Sequence, residues 1–192
     1  MKIKLLALLL ICASAHAEGP RLGVELESEK DNKSGMTNRS LAIIPGWDFS
    51  SDSLVNRVEL LIERNKDTSA DSNGVTAKEN KLFLRIRHDG DLAKNIAYYV
   101  RGGVGRAFNN EKSFNYAYIE PGLNYEFTPQ WDWTVAYREI NSIDSTGGEH
   151  VGKLITGPNY DLDDHNEFEV RYEKGSGDKD ITVWSLEYVH KF

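Results

Sequence analysis

Alternation of apolar and polar residues along most of the chain limits the possible folds more than any other feature. Apolar residues recur at every second position in nine segments, for example at Val58, Leu60 and Ile62, and many positions between them carry Glu or Arg. A period of two is that of a β-strand, whose successive side chains point to opposite faces. The sequence therefore predicts an all-β protein.

The first 17 residues have the arrangement of a secretory signal peptide. Two lysines precede an apolar run that ends at Cys12, and Ala15-His16-Ala17 forms a small-x-small cleavage site. The apolar run is too short to span a bilayer as a helix. We therefore expect an exported protein, with residues 1–17 as the cleaved signal and residues 18–192 as one folded domain.

The charge balance narrows the classes of partner. The chain has 30 Asp and Glu residues against 23 Lys and Arg, a net charge of −7. Nucleic acid is disfavoured as a partner, because its phosphates require basic surfaces. The only cysteine, Cys12, lies in the signal segment, so we expect no disulfide. We also expect no cofactor and no metal.

Two architectures fit such strands: a secreted sandwich or lipocalin-like barrel with its apolar face inward, and an outer-membrane barrel with its apolar face outward. The polar faces carry an unusual density of Glu and Arg, which a narrow barrel lumen can hold when the charges are paired. Aromatic residues also collect near one end of the strands, as in an interfacial girdle. These are Trp47, Tyr98, Phe127, Trp131, Trp133 and Phe192.

The last strand resembles the C-terminal signature of bacterial outer-membrane barrels. It ends at Phe192, with Tyr188 and Leu186 at alternate positions and His190 where the pattern prefers an aromatic residue. The resemblance implies that Phe192, Tyr188 and Leu186 form a membrane-insertion signal for the outer-membrane assembly machinery. It also implies a location in the bacterial outer membrane, with its lipid and lipopolysaccharide as partners.

The expected fold is a single antiparallel up-and-down transmembrane β-barrel of about 10 strands, with 8 or 12 as alternatives. Nine strands are plain, and an even count requires a tenth, for which Val151–Thr156 is the candidate. Ten strands leave roughly 17 residues for each strand and its connector, which suits the ~9–11 residues that cross a membrane. Pro45 and Pro121 should each mark a bulge or strand end. Residues 65–80 should form the longest outer loop.

Charged side chains on the inward faces are the candidate functional residues. Neighbouring strands place Glu59 beside Arg85 and Arg101 beside Glu120. They also place Glu169 and Arg171 beside Glu187. One interpretation is a paired network that fills the lumen. The other is a basic track for an anionic solute, because guanidinium groups suit carboxylates. The candidate lumen and selectivity residues are Arg85, Arg87, Arg101, Arg138, Arg171, Glu59, Glu120, Glu169 and Glu187.

The hairpin from Tyr118 to Trp131, with the sequence YIEPGLNYEFTPQW, is similar to hairpins of the oligogalacturonate-specific porin family. Members of that family are small monomeric porins that pass acidic oligosaccharides through an arginine-lined lumen. The resemblance implies a porin. The chain departs from the family in being shorter, in having fewer strands than the usual twelve, and in carrying more acidic than basic residues in its lumen.

The sequence therefore predicts a non-enzymatic, narrow, porin-like channel for small anionic solutes or acidic oligosaccharides. The first alternative is a structural or surface-interaction barrel plugged by ion pairs. The second is a barrel hydrolase using Asp163, Asp164 and His165, since a carboxylate can orient a histidine base. That trio falls in a predicted periplasmic turn, the wrong end for surface hydrolysis.

Overall fold

The computed structural model describes residues 17–49, 55–67, 79–109, 113–144 and 150–192. Residues 1–16 of the predicted signal peptide lie outside this range, so the signal remains a prediction. The described residues form ten strands. They are β1 (Ala17–Asp31), β2 (Thr37–Phe49), β3 (Arg57–Asp67), β4 (Glu79–Ala93), β5 (Ile96–Asn109), β6 (Ser113–Thr128), β7 (Trp131–Ser142), β8 (His150–Asp163), β9 (Asn166–Gly177) and β10 (Ile181–Lys191).

The strands form one closed antiparallel barrel in which every strand pairs with its neighbours in the sequence. β1 and β10 close it through eleven residue pairs, from Arg21↔Lys191 to Asp31↔Ile181. The predicted up-and-down barrel of ten strands is confirmed. Residues 94–95, 129–130 and 164–165 form two-residue connections at the end where β1 begins and β10 ends, which we call the turn end. The opposite end is the loop end.

The apolar faces of the strands point outward and the charged faces point inward. Leu60, Leu84 and Leu186 are 37%, 42% and 44% exposed, whereas Glu59 and Arg85 are only 3% and 5% exposed. The apolar side of each strand therefore forms an outer surface that suits lipid. These side chains do not pack together in a dry apolar core. Among the described residues, no helix is long and apolar enough to cross a membrane.

Aromatic side chains lie on the outer surface towards both ends of the barrel. Trp47, Trp131 and Trp133 are 40–48% exposed near the turn end, as the sequence predicts. Towards the loop end, the rings of Tyr172 and Trp184 pack with centroids 4.9 Å apart. Trp184 and Phe192 are eight residues apart, roughly 26 Å along β10 and about 20 Å in height at a usual strand tilt. The two aromatic regions thus bracket an apolar band close to membrane thickness.

The strands are longer than the apolar alternation indicates. The tenth strand extends from His150 to Asp163, well beyond the predicted Val151–Thr156, and the connection to β9 is only two residues long. Likewise, only the ends of the predicted outer loop at residues 65–80 belong to strands, because β3 continues to Asp67 and β4 begins at Glu79. Residues 68–78 lie outside the described range.

The prediction that Pro45 and Pro121 mark bulges or strand ends is wrong. Both lie inside continuous strands, and the register on the two sides of each proline is the same. Residue pairing on one neighbouring strand lapses at each proline, because proline has no backbone N–H to donate. The register shifts instead lie close to the turn end, for example between Asp91 and Ala93.

Candidate functional site: the barrel lumen

All nine predicted lumen residues face the interior of the barrel. Their positions follow from strand parity, because inward side chains occupy every second residue. Six of them are no more than 5% exposed, and the other three are half-buried. The buried six are Arg85, Arg101, Arg171, Glu59, Glu120 and Glu187, and the half-buried three are Arg87, Arg138 and Glu169. The role of these residues in selectivity stays a prediction.

Glu120 on β6 is the centre of the largest ion-pair cluster and is completely buried. Arg138 donates to it through Nε at 2.5 Å, and the Tyr99 hydroxyl donates at 2.8 Å. Arg101 reaches the same carboxylate at 3.6 Å. This carboxylate therefore links three neighbouring strands, β5, β6 and β7, across the middle of the lumen.

Arg138 extends the cluster to the far side of the barrel. Its NH1 lies 3.4 Å from Glu173 on β9, and Lys153 on β8 donates to the same carboxylate at 2.9 Å. The ion pairs thus form one continuous set from β5 to β9. Because each charge in the set has an opposite charge beside it, the set can remain ionised while buried.

Glu59 holds a second cluster on the opposite wall. It lies between Arg85 at 3.1 Å and Arg21 at 3.6 Å, and Arg21 also contacts Asp48 at 3.3 Å. The pairing of Glu59 with Arg85 that the sequence predicts is therefore present. Arg21 completes this cluster, because its side chain extends from β1 to Glu59 on β3.

Arg171 forms the third cluster, with its neighbours Glu169 and Glu187. Its guanidinium hydrogen-bonds Glu169 on the same strand and lies 3.9 Å from Glu187 on β10. Arg87 stands apart from these clusters. It pairs with Asp89 at 2.6 Å and places its guanidinium carbon 4.2 Å from the centroid of the Tyr99 ring.

Two cavities, each of about 210 Å³, lie towards opposite ends of the described barrel. The outer cavity lies towards the loop end, where Asn38, Phe114 and Ile181 line it. The other lies at the turn end, beside Lys94 and Asp132. None of Glu59, Arg101, Glu120, Glu169 and Glu187 lines either cavity. We call these five residues, with Arg85, Arg138 and Arg171, the ion-pair layer.

The outer cavity has walls of opposite charge. Arg85, Arg138 and Arg171 line it from the ion-pair layer, and each of them already contacts a carboxylate. Glu25, Glu27 and Glu29 line it from β1, and among the described residues they make no ion pair. Among the described residues, four buried guanidinium nitrogens lack a hydrogen-bond partner: the Nε atoms of Arg21, Arg85 and Arg101, and Nη1 of Arg101.

Several buried charges in the lumen were not among the sequence candidates. Arg21, Lys153 and Glu173 are 3–7% exposed and complete the clusters described above. The alternation could have identified them, because Arg21 is in phase with Glu25 and Glu173 is in phase with Arg171. Lys153 lies inside the predicted strand Val151–Thr156, in phase with the buried Val151 and Ile155.

The trio of Asp163, Asp164 and His165 occupies the turn between β8 and β9, at the turn end as predicted. The backbone N–H of His165 donates to Asp163 and the side chain of Asn166 does the same, which lowers the pKa of Asp163. The His165 ring contacts the backbone oxygen of Lys191 at 3.0 Å instead of a carboxylate. The carboxylate therefore stabilises a turn and does not orient a histidine base.

At the loop end, Asp180 ties three elements together. Its carboxylate accepts hydrogen bonds from Lys174 at 2.7 Å and from Asn32 at 2.9 Å, and these bonds lower its pKa. Asn32 lies in the connection between β1 and β2. The carboxylate thus fastens that connection to the start of β10 while it stays ionised.

The predicted insertion-signal residues lie on the outer face of β10. Phe192 and Leu186 are 67% and 44% exposed, and the Tyr188 hydroxyl donates to the Asn166 side chain at 2.6 Å. This placement leaves two of the three side chains available from outside the barrel. Recognition by an assembly machinery stays a prediction.

Solved structures with a similar fold are outer-membrane β-barrels. The β domain of the Bordetella autotransporter BrkA aligns with a TM-score of 0.57 at 12% identity, over 92% of this chain and 100% of that chain. An outer membrane channel from Pseudomonas putida F1 aligns with a TM-score of 0.52 at 10% identity, over 91% and 96%. No family model matches the chain, and no curated protein matches its sequence.

The KdgM porin, solved in complex with disordered oligogalacturonate, aligns with a TM-score of 0.44 at 11% identity, over 90% of this chain and 99% of that chain. The similarity to an oligogalacturonate porin is therefore present, and it is weak. The fold that these proteins share with this chain is a small closed antiparallel β-barrel. At such identities the likeness concerns the fold, and the solute has to be argued from the lumen of this chain.

Proposed function

We propose that the protein is a bacterial outer-membrane barrel that is closed to free diffusion by its ion-pair layer and binds small solutes in the outer cavity. Short turns face the periplasm in such barrels, and longer loops face outward. The loop end, and with it the outer cavity, then faces the exterior. The location follows from the outward apolar band between two aromatic regions.

The burial of the ion-pair layer carries the proposal. Opening a path would separate Glu120 from Arg138 and Glu59 from Arg85, which are 2.5 Å and 3.1 Å apart. Leaving one buried charge without its partner costs about 3–5 kcal/mol. Two such separations make an open lumen rarer than about one molecule in ten thousand at equilibrium. The proposal assigns no reaction to the barrel.

A narrow channel for small anionic solutes, including acidic oligosaccharides, is the second candidate. Two observations favour it: the Nε atoms of Arg85 and Arg101 are buried without a hydrogen-bond partner, and Arg87 continues the arginines towards the turn end. An anion that accepts from Arg85 could replace Glu59 as its partner. The layer would then act as a gate that an anion opens.

Conductance in planar bilayers tests the two candidates. The refolded wild-type chain should show no steady channel events, and the double variant Glu59→Gln with Glu120→Gln should show frequent openings. Glu167→Gln is the matched control, because Glu167 pairs with Lys191 at 3.4 Å outside the ion-pair layer. Steady wild-type conductance with anion preference would overturn the closed barrel and support the channel.

A further inference from the structure

Three arginines on the outer surface of the barrel are not explained by the lumen. Arg39 on β2, Arg64 on β3 and Arg106 on β5 are exposed and occupy the outward parity of their strands. Among the described residues, none of them makes a salt bridge. The Arg106 guanidinium carbon lies 5.4 Å from the centroid of the Phe108 ring, and no acidic side chain of the described residues neutralises any of the three charges. An anion from outside the chain would stabilise such charges at a surface that faces lipid.

The three arginines lie at about one height, near the loop-end edge of the apolar band. Each is two residues nearer the loop end than an exposed apolar side chain, roughly 7 Å along the strand. These apolar neighbours are Leu41, Ile62 and Val104, at 46%, 48% and 54% exposure. This is the height at which the headgroups of the outer leaflet begin.

The arginines also lie on one side of the barrel. β2 and β5 are separated by three strand spacings, roughly 14 Å, with β3 between them. On the outward parity of β1 to β5, the structure describes no acidic side chain at this height. On the opposite side, Glu139 on β7 faces outward, and Lys174 on β9 is neutralised by Asp180 at 2.7 Å.

We propose that Arg39, Arg64 and Arg106 form a binding site for the phosphates of an outer-leaflet glycolipid. Guanidinium groups bind phosphate bidentately, and a headgroup with more than one phosphate can reach arginines on separate strands. The acyl chains of the same lipid then pack against Leu41, Ile62 and Val104. The site rests on the proposed outer-membrane location and adds a partner to it.

Lipid binding by the refolded full chain tests the site. The chain is inserted into neutral phosphatidylcholine vesicles containing either a bisphosphorylated glycolipid of the lipid A type or the same lipid without phosphates. Native mass spectrometry after extraction should find the phosphorylated lipid retained. The variant Arg39→Gln, Arg64→Gln, Arg106→Gln should lose about 100-fold in affinity, because each basic residue near a phosphate surface contributes about a factor of five.

Two further variants distinguish an effect of these three arginines from a general effect of positive charge on the barrel surface. Lys174→Gln, which removes an already paired cation, should bind as the wild type does. The triple Arg→Lys variant should bind the phosphorylated lipid more weakly than the wild type and more tightly than the triple Gln variant, because lysine keeps the charge but cannot bind phosphate bidentately. Equal binding of both lipids by the wild type, or unchanged binding by the triple Gln variant, would overturn the site.

Two controls keep this test distinct from that of the proposed function. If the wild-type chain fails to insert into neutral vesicles, the membrane proposal fails and the site fails with it. If it inserts and shows no preference for phosphate, only the lipid site fails. Displacement of the lipid by an equal concentration of free inorganic phosphate would also overturn the lipid assignment.

Discussion

The carboxylate of Glu120 neutralises the positive charges that surround it in the lumen. It is fully buried and accepts from Arg138 and Tyr99. Glu120→Gln leaves Arg138 and Arg101 without their shared anion, so we expect the free energy of unfolding to fall by about 3–5 kcal/mol. Urea unfolding of the barrel in lipid vesicles, followed by tryptophan fluorescence, measures this loss.

Glu139→Gln is the comparison variant, because Glu139 lies 3.0 Å from His150 Nε2 on the outer surface, where the His150 side chain is 60% exposed. An exposed pair contributes less than about 1 kcal/mol. If Glu120→Gln and Glu139→Gln unfold at the same urea concentration, the ion-pair layer does not stabilise the barrel in the manner described.

Adjacent inward charges could be predicted from the sequence, and the larger clusters could not. Strand parity and neighbouring strands were enough to pair Glu59 with Arg85 and Arg101 with Glu120, which the structure places 3.1 Å and 3.6 Å apart. The link from Arg138 to Glu173 joins β7 to β9, which are not neighbours. Parity gives no information on how far a long side chain reaches across a lumen.

Gly157 allows β8 and β9 to approach closely beside Pro158. A Cβ atom at this position would lie 1.8 Å from the backbone oxygen of Val170. The clash is with backbone, so it cannot be relieved by a side-chain rotation. We expect Gly157→Ala to lower the free energy of unfolding by at least about 2 kcal/mol, measured by urea unfolding in vesicles.

Gly102→Ala provides the matched control on β5. A Cβ there would lie 3.8 Å from the backbone oxygen of Tyr118, which is ordinary van der Waals contact. This variant should therefore unfold within about 0.5 kcal/mol of the wild type. Equal stability of both alanine variants would show that the approach of β8 to β9 is not tight.

The number and direction of the strands could be predicted, whereas their ends could not. Alternation and the even-count rule gave ten strands, because lipid outside and charge inside impose a period of two. The sequence predicts that the tenth strand ends at Thr156, before Gly157 and Pro158, yet backbone pairing continues to Asp163. Backbone hydrogen bonds do not depend on which side chains the strand carries.

At the scale of the whole molecule, the proposed function follows from the outward direction of the apolar side chains and the inward direction of the charged ones. Thirty acidic residues would be unusual in a membrane-spanning chain if they faced lipid. Instead, most of the carboxylates on the described strands face the lumen, where arginines neutralise many of them. In the closed barrel that we propose, the paired charges also fill the space through which a solute would pass.

Tryptophan fluorescence tests the orientation of the whole barrel. All four tryptophans face outward, Trp47, Trp131 and Trp133 near the turn end and Trp184 towards the loop end, at 40–56% exposure. In vesicles whose acyl chains carry bromine, we therefore expect strong quenching of the emission, while aqueous acrylamide quenches it weakly. A variant that keeps only Trp184, the others being Phe, should behave in the same way. Emission insensitive to bromine and quenched by acrylamide would contradict a lipid-facing outer surface, and with it both proposals made for this protein.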